Sequence, residues 1–196
     1  MLLYLLTWLL AAPTQDLRPN IVVLGDSLAE GYGVAQGKSF PDALQRRLDG
    51  AGYKYHVVNL GVSGDTTTGG LGRLNYALSL KPQVLVLELG GNDGLRGVPV
   101  AQTKANLEQM IVRAKKAGSQ VLLAGMTLPP NYGPEYIRQF EAMYKGLAAE
   151  YRLTLIPFFL EGVGGNTRLM QQDGLHPTAE GTRIVARNVL KYIPAD

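Results

Sequence analysis

Five short apolar runs, separated by longer stretches of helical pattern, constrain this chain more than any single residue does. The runs are Ile21–Leu24, His56–Asn59, Val84–Leu89, Gln120–Ala124 and Thr154–Ile156. All but the last are rich in valine or leucine with little polar alternation, as a strand covered on both faces requires. Helical stretches Phe40–Leu48, Leu71–Leu80, Val100–Ala117 and Glu135–Tyr151 lie between them, and Thr178–Tyr192 follows the last. This alternation predicts an α/β fold: a parallel sheet with helices on both faces, joined by right-handed crossovers. Within Val100–Ala117, the residues Ala101, Ala105, Leu107, Ile111, Val112 and Ala114 read as the buried face, and Gly118 as the stop.

In open sheets of this kind, sites gather beyond the carboxyl ends of the strands. Three glycine-containing polar loops stand there: Gly25-Asp26-Ser27 after the first run, Gly61-Val62-Ser63-Gly64-Asp65 after the second and Gly90-Gly91-Asn92-Asp93 after the third. Thr127–Gly133, after the fourth, adds a wall. The segment Asp173-Gly174-Leu175-His176-Pro177 comes late enough to close over all of them.

Ser27 ends a strand and opens a helix-bound loop, where a hydroxyl can be aimed outward. A serine attacks poorly until an imidazole takes its proton, and the imidazole works best when a carboxylate holds its tautomer. The chain has two histidines. His176 lies three residues after Asp173, a spacing that lets one short loop carry both side chains. His56 sits inside a candidate strand and reads as structural. The Asn92 side-chain amide and the backbone N–H groups of Gly64 and Ser27 are candidate donors for the anionic oxygen that acyl transfer creates. Each of these loops has a plainer reading, as a cap or a tight turn.

Other chemistries fail on the residues. Ala29 stands where Gly-x-Ser-x-Gly needs its second glycine, so the nucleophile elbow is absent. Tyr32 stands where a phosphate loop ending in Gly37-Lys38-Ser39 needs its first glycine. Cysteine is absent, which removes disulfides, thiolate catalysis and Cys-based zinc sites. A net charge of +3, with basic residues scattered, gives no nucleic-acid footprint. No cluster of residue types suggests a metal.

With 196 residues, 46% of them hydrophobic, the chain reads as one domain with a full core. Residues 1–16 stand apart as an apolar segment, and residues 17–196 carry the fold. Met1–Ala12 is too short to span a bilayer. It reads either as an export signal, though with no preceding basic residue and no Ala-x-Ala, or as a helix retained for membrane contact or self-association.

Four blocks together resemble the GDSL or SGNH hydrolases: Gly25-Asp26-Ser27-Leu28, Val62-Ser63-Gly64-Asp65-Thr66, Glu88–Gly97 and Asp173–Pro177. More narrowly, they are similar to the bacterial multifunctional acyl-CoA thioesterase I / protease I / lysophospholipase L1 group and its arylesterase relatives. The resemblance runs from Asn20 onward. It implies a flavodoxin-like three-layer α/β/α sandwich with strand order 2-1-3-4-5 and no metal or organic cofactor. By the same resemblance Ser27 is the nucleophile, Asp173 and His176 the acid–base pair, and Gly64 and Asn92 oxyanion donors. The acyl pocket it implies is bordered by Asp26, Gly91, Leu128 and Pro129.

The expectation is therefore a serine hydrolase of carboxylic esters, with thioesters and lysophospholipids within reach, acting on small acyl substrates and exported from a bacterium. Two readings of other classes compete with it. One is a non-catalytic flavodoxin-like domain in which carboxylates such as Asp26 hold a ligand or Mg²⁺. The other is a membrane-associated interaction protein driven by Met1–Ala12.

Overall fold

The computed structural model describes residues 16–195, so Met1–Ala12 lies outside the described residues. Five parallel strands form one sheet in the order β2-β1-β3-β4-β5. They are β1 (Asn20–Gly25), β2 (His56–Gly61), β3 (Pro82–Glu88), β4 (Gln120–Ala124) and β5 (Thr154–Ile156). The helices are α1 (Ser27–Glu30), α2 (Phe40–Ala51), α3 (Thr67–Ser79), α4 (Gly91–Leu95), α5 (Val100–Lys116), α6 (Pro134–Tyr151) and α7 (Ala179–Leu190). Helices α2 and α7 pack together, as do α3 with α5 and α5 with α6, which makes the three-layer sandwich.

The centre of the sheet follows directly from its residues. Ile21–Leu24 of β1 and Leu85–Leu87 of β3 have no exposed surface, because each strand is paired on both edges and covered on both faces. The uniform apolar reading goes too far for β2, an edge strand. Its residues are half-buried, and Asn59 faces out far enough to donate to the Ala29 carbonyl.

Two helices differ from the expectation in instructive ways. On α5 the buried face is Thr103, Leu107, Met110, Ile111 and Ala114, while Ala101, Ala105 and Val112 are exposed. A single turn offers no periodic signal to choose between Ala101 and Thr103, and packing against α3 and α6 decides it. Helix α3 begins four residues earlier than Leu71, despite four weak helix formers, Thr67-Thr68-Gly69-Gly70, in its first turn. Thr66 caps it, and a side chain at Gly70 would overlap Leu89, so the glycine permits close helix–strand packing. Elsewhere the local signals are ordinary. Ser39 and Asp42 close a capping box at the start of α2, and Gly118 ends α5 at positive φ.

The consequence for the site is geometric. Strands β1, β2 and β3 end together, with Gly25 opposite Gly61 and Glu88. Their three following loops therefore meet at one edge.

Candidate active site

The first loop is built by Asp26. Its Oδ1 accepts the Leu28 N–H at 2.9 Å, capping the single turn of α1 that begins at Ser27. Its Oδ2 accepts the Asn92 amide at 3.0 Å, tying the first loop to the third. The backbone N–H of Asp26 donates to Glu88 Oε2 at 3.2 Å. A Cβ at Gly25 would overlap Glu88 Oε2 and sit 2.6 Å from Ala29 Cβ, so only glycine lets the chain turn here. Burial is the main force on Asp26 and pushes its carboxyl up to about 6, against the hydrogen bonds from Leu28 and Asn92 and the charge of His176. Burial also drives the fully enclosed Glu88 well above the usual carboxylate range, with Asp26 adding to the shift.

The last loop brings His176, the candidate base. Leu169 and Met170 hold it, through Thr178 N–H to the Leu169 carbonyl at 2.8 Å and a bridge between Met170 and Pro177. Asp173 Oδ1 accepts the N–H groups of Leu175 at 2.9 Å and His176 at 3.0 Å. Its Oδ2 lies 2.6 Å from His176 Nδ1. Burial works to raise the Asp173 carboxyl but is outweighed by the His176 side chain and these two N–H groups, which hold it below the ordinary value. An ionised Asp173 can only accept, so Nδ1 carries the proton and the Nε2 lone pair is left for Ser27. The Ser27 hydroxyl lies 2.9 Å from that Nε2.

This arrangement can do one thing well. A hydroxyl aligned on an imidazole, itself oriented by a carboxylate, yields its proton as the oxygen attacks a carbonyl. Two backbone N–H groups are free to meet the charge that follows. The Gly64 and Ser27 N–H groups donate to no protein acceptor among the described residues. The Asn92 amide, the expected side-chain donor, has its Nδ2 engaged by both Asp26 and the Asp65 carbonyl, each at 3.0 Å. It is therefore held rigidly and can only share a hydrogen with an incoming oxyanion.

A pocket of about 140 Å³ opens beside Ser27. Asp26, Gly91, Leu128 and Pro129 line it as expected, together with Ser27, Asn92 and His176. Asp26 contributes only a floor, since both its oxygens are engaged within the protein. Gly64 is not in the lining. It reaches the site through the turn that Asn92 grips at Asp65 and that Arg96 grips at the Gly64 carbonyl, 2.8 Å away. The sequence reading missed the apolar wall of Leu95, Met126, Leu160 and Leu175. Leu95 and Leu175 lie inside two of the quoted blocks and were within reach of that reading; Met126 and Leu160 enter only through the fold. His56, at the far end of β2, pairs with Asp16 at 3.3 Å and takes no part in the site.

The model of the GDSL-like Lipase/Acylhydrolase family matches residues 23–184, a span that holds every residue of this site. The chain belongs to that family. It is 46% identical over 188 residues to Esterase TesA of Pseudomonas aeruginosa, covering 95% of this chain and 90% of that protein. It is 38% identical over 175 residues to the Thioesterase 1/protease 1/lysophospholipase L1 of Escherichia coli K12, covering 89% and 83%. The crystal structure of TesA superposes with a TM-score of 0.85 at 46% identity, covering 88% of this chain and 97% of that one. Membership in the GDSL family carries the serine hydrolase class with it, and the readings as a passive binding domain or an interaction protein are not favoured.

Proposed function

We propose that this GDSL-family chain is a serine esterase that cleaves carboxylic esters, and thioesters with them, through an acyl-enzyme on Ser27. The observation that carries the reading is the 2.9 Å approach of the Ser27 hydroxyl to His176 Nε2, with Asp173 2.6 Å behind the ring. As Ser27 Oγ bonds to the acyl carbon, its proton passes to His176. The carbonyl oxygen takes its charge against the N–H groups of Ser27 and Gly64 and a shared hydrogen of Asn92. Collapse breaks the bond to the leaving oxygen or sulfur, which receives the proton from His176. Water then repeats the sequence on the acyl-enzyme and releases the acid.

The leucines, Met126 and Pro129 around the pocket favour an acyl chain over a polar group. Each added methylene brings only about 1–3 kcal/mol, so discrimination among neighbouring chain lengths is gradual. A series of p-nitrophenyl and acyl-CoA substrates of rising chain length tests this. Turnover of both classes that rises smoothly with length and vanishes in Ser27→Ala supports the reading; activity unchanged in that variant refutes it.

Among the described residues no helix is long and apolar enough to cross a membrane. Export is proposed for the chain, with Met1–Ala12 as the apolar part of its signal. The N-terminal mass of the protein recovered from fractionated cells decides between a removed segment and one retained for membrane or self contact.

A further inference from the structure

Among the described residues, Tyr32 is one of few large apolar side chains left open to solvent, with 52% of its surface exposed. It is not loosely placed. Its N–H donates to the Ser27 carbonyl at 3.1 Å, and its own carbonyl accepts the Gln171 side-chain amide at 2.8 Å. Gly31 and Gly33 flank it at positive φ, and the Gln171 side chain fills the space that a Cβ on Gly33 would need. The backbone is thus tied to the nucleophile loop on one side and to the histidine loop on the other. What these ties present is an aromatic ring whose centroid lies 4.6 Å from that of His176, tilted by 42°.

Directions around the reacting carbon are divided. The acyl pocket takes one, and Tyr32 is not in its lining. The oxyanion donors take a second. The leaving group must take the third, because its oxygen has to come within hydrogen-bond reach of His176 Nε2 to be protonated. Tyr32, packed beside the His176 ring, flanks the base that this third direction has to reach. We infer that Tyr32 is the platform on which the leaving group stacks, so that the site favours esters of flat aromatic alcohols over those of alkyl alcohols. This rests on the esterase reading. The step it assists is acylation: the Ser27 Oγ–acyl bond forms, the acyl–oxygen bond of the ester breaks, and the proton from Ser27 reaches the departing phenol oxygen through His176. An aromatic stack contributes to that step only while the leaving group is attached.

Phenyl acetate and ethyl acetate separate this from mere support of His176, because both pass through the same acetyl-enzyme. Each ester is compared with itself across variants, so its intrinsic reactivity cancels. Tyr32→Leu is expected to lower kcat/KM for phenyl acetate roughly fivefold to tenfold more than for ethyl acetate, the range of one aromatic pair. The deacylation rate of the acetyl-enzyme stays unchanged. Tyr32→Phe keeps the preference, and Tyr76→Leu, which removes an exposed tyrosine on α3, changes neither ester. Equal losses on both esters with slower deacylation, or no loss on either, would overturn the inference while leaving the esterase intact. If the unaltered chain hydrolyses neither ester and Ser27 takes no acyl group, it is the esterase reading that fails.

Discussion

Glu88 lies directly beneath Asp26: its Oε2 accepts the Asp26 backbone N–H at 3.2 Å, and its Oε1 has no hydrogen-bond partner among the described residues. Burial holds this carboxyl neutral far above its ordinary value of 4.5. Folding then takes up a proton wherever the unfolded chain would have released it. The folded state binds more protons than the unfolded one above pH 4.5, so stability falls as pH rises, by at most about 1.4 kcal/mol per pH unit for one group. Asp26, raised to about 6, acts in the same direction over a narrower window.

Glu88→Gln removes the larger of these two costs and keeps an oxygen for the Asp26 N–H. Its stability relative to the unaltered chain is expected to improve as the pH rises above 4.5, read in urea titrations. A difference that does not vary with pH would show that Glu88 is not held neutral.

Gly25→Ala tests the same contact by crowding it. The new methyl overlaps the Glu88 carboxyl and meets Ala29 Cβ at 2.6 Å, and neither the strand nor α1 can yield cheaply. A loss of about 1–3 kcal/mol is expected by urea denaturation, the usual cost of overpacking.

At Asp173 the sign is reversed. Its folded carboxyl lies below the ordinary 3.8, so the stability it contributes is present above that pH and disappears as the pH falls through its folded value. Asp173→Asn removes that acid sensitivity. It also leaves His176 in the wrong tautomer, and turnover is expected to fall about 10⁴-fold with the fold retained. Steady-state kinetics beside acid unfolding curves checks both halves.

Asn92→Ala is expected to lower kcat about 100-fold to 1,000-fold with a small change in KM, the signature of a donor used in the transition state. Because Asn92 also joins Asp26 to Asp65, a stability measurement on the same variant separates the two roles.

Much of this was readable in the residues. The five runs carried the strands to within a residue or two at most ends, since β1 and β3 are apolar without alternation only because they are central. That Ser27, Asp173 and His176 meet was legible because their residue types and the four blocks pointed to one site. What escaped depends on three-dimensional neighbours. The single turns at Ser27–Glu30 and Gly91–Leu95 are too short for a periodic signal. The engagement of the Asn92 amide, the buried Glu88 carboxyl and the Met126 and Leu160 wall arise from strand ends brought together by register, to which local pattern is blind. The buried face of α5 was misjudged by one residue of phase for the same reason.

Covalent trapping tests the central claim most directly. The chain is treated with diisopropyl fluorophosphate, and intact mass and peptide mapping are followed beside residual esterase activity. The account predicts one adduct per chain, on Ser27, with activity falling in proportion to its formation, and slow labelling in His176→Ala. Unlabelled Ser27 in a fully inhibited enzyme, or a labelled Ser27 with turnover undiminished, would contradict it.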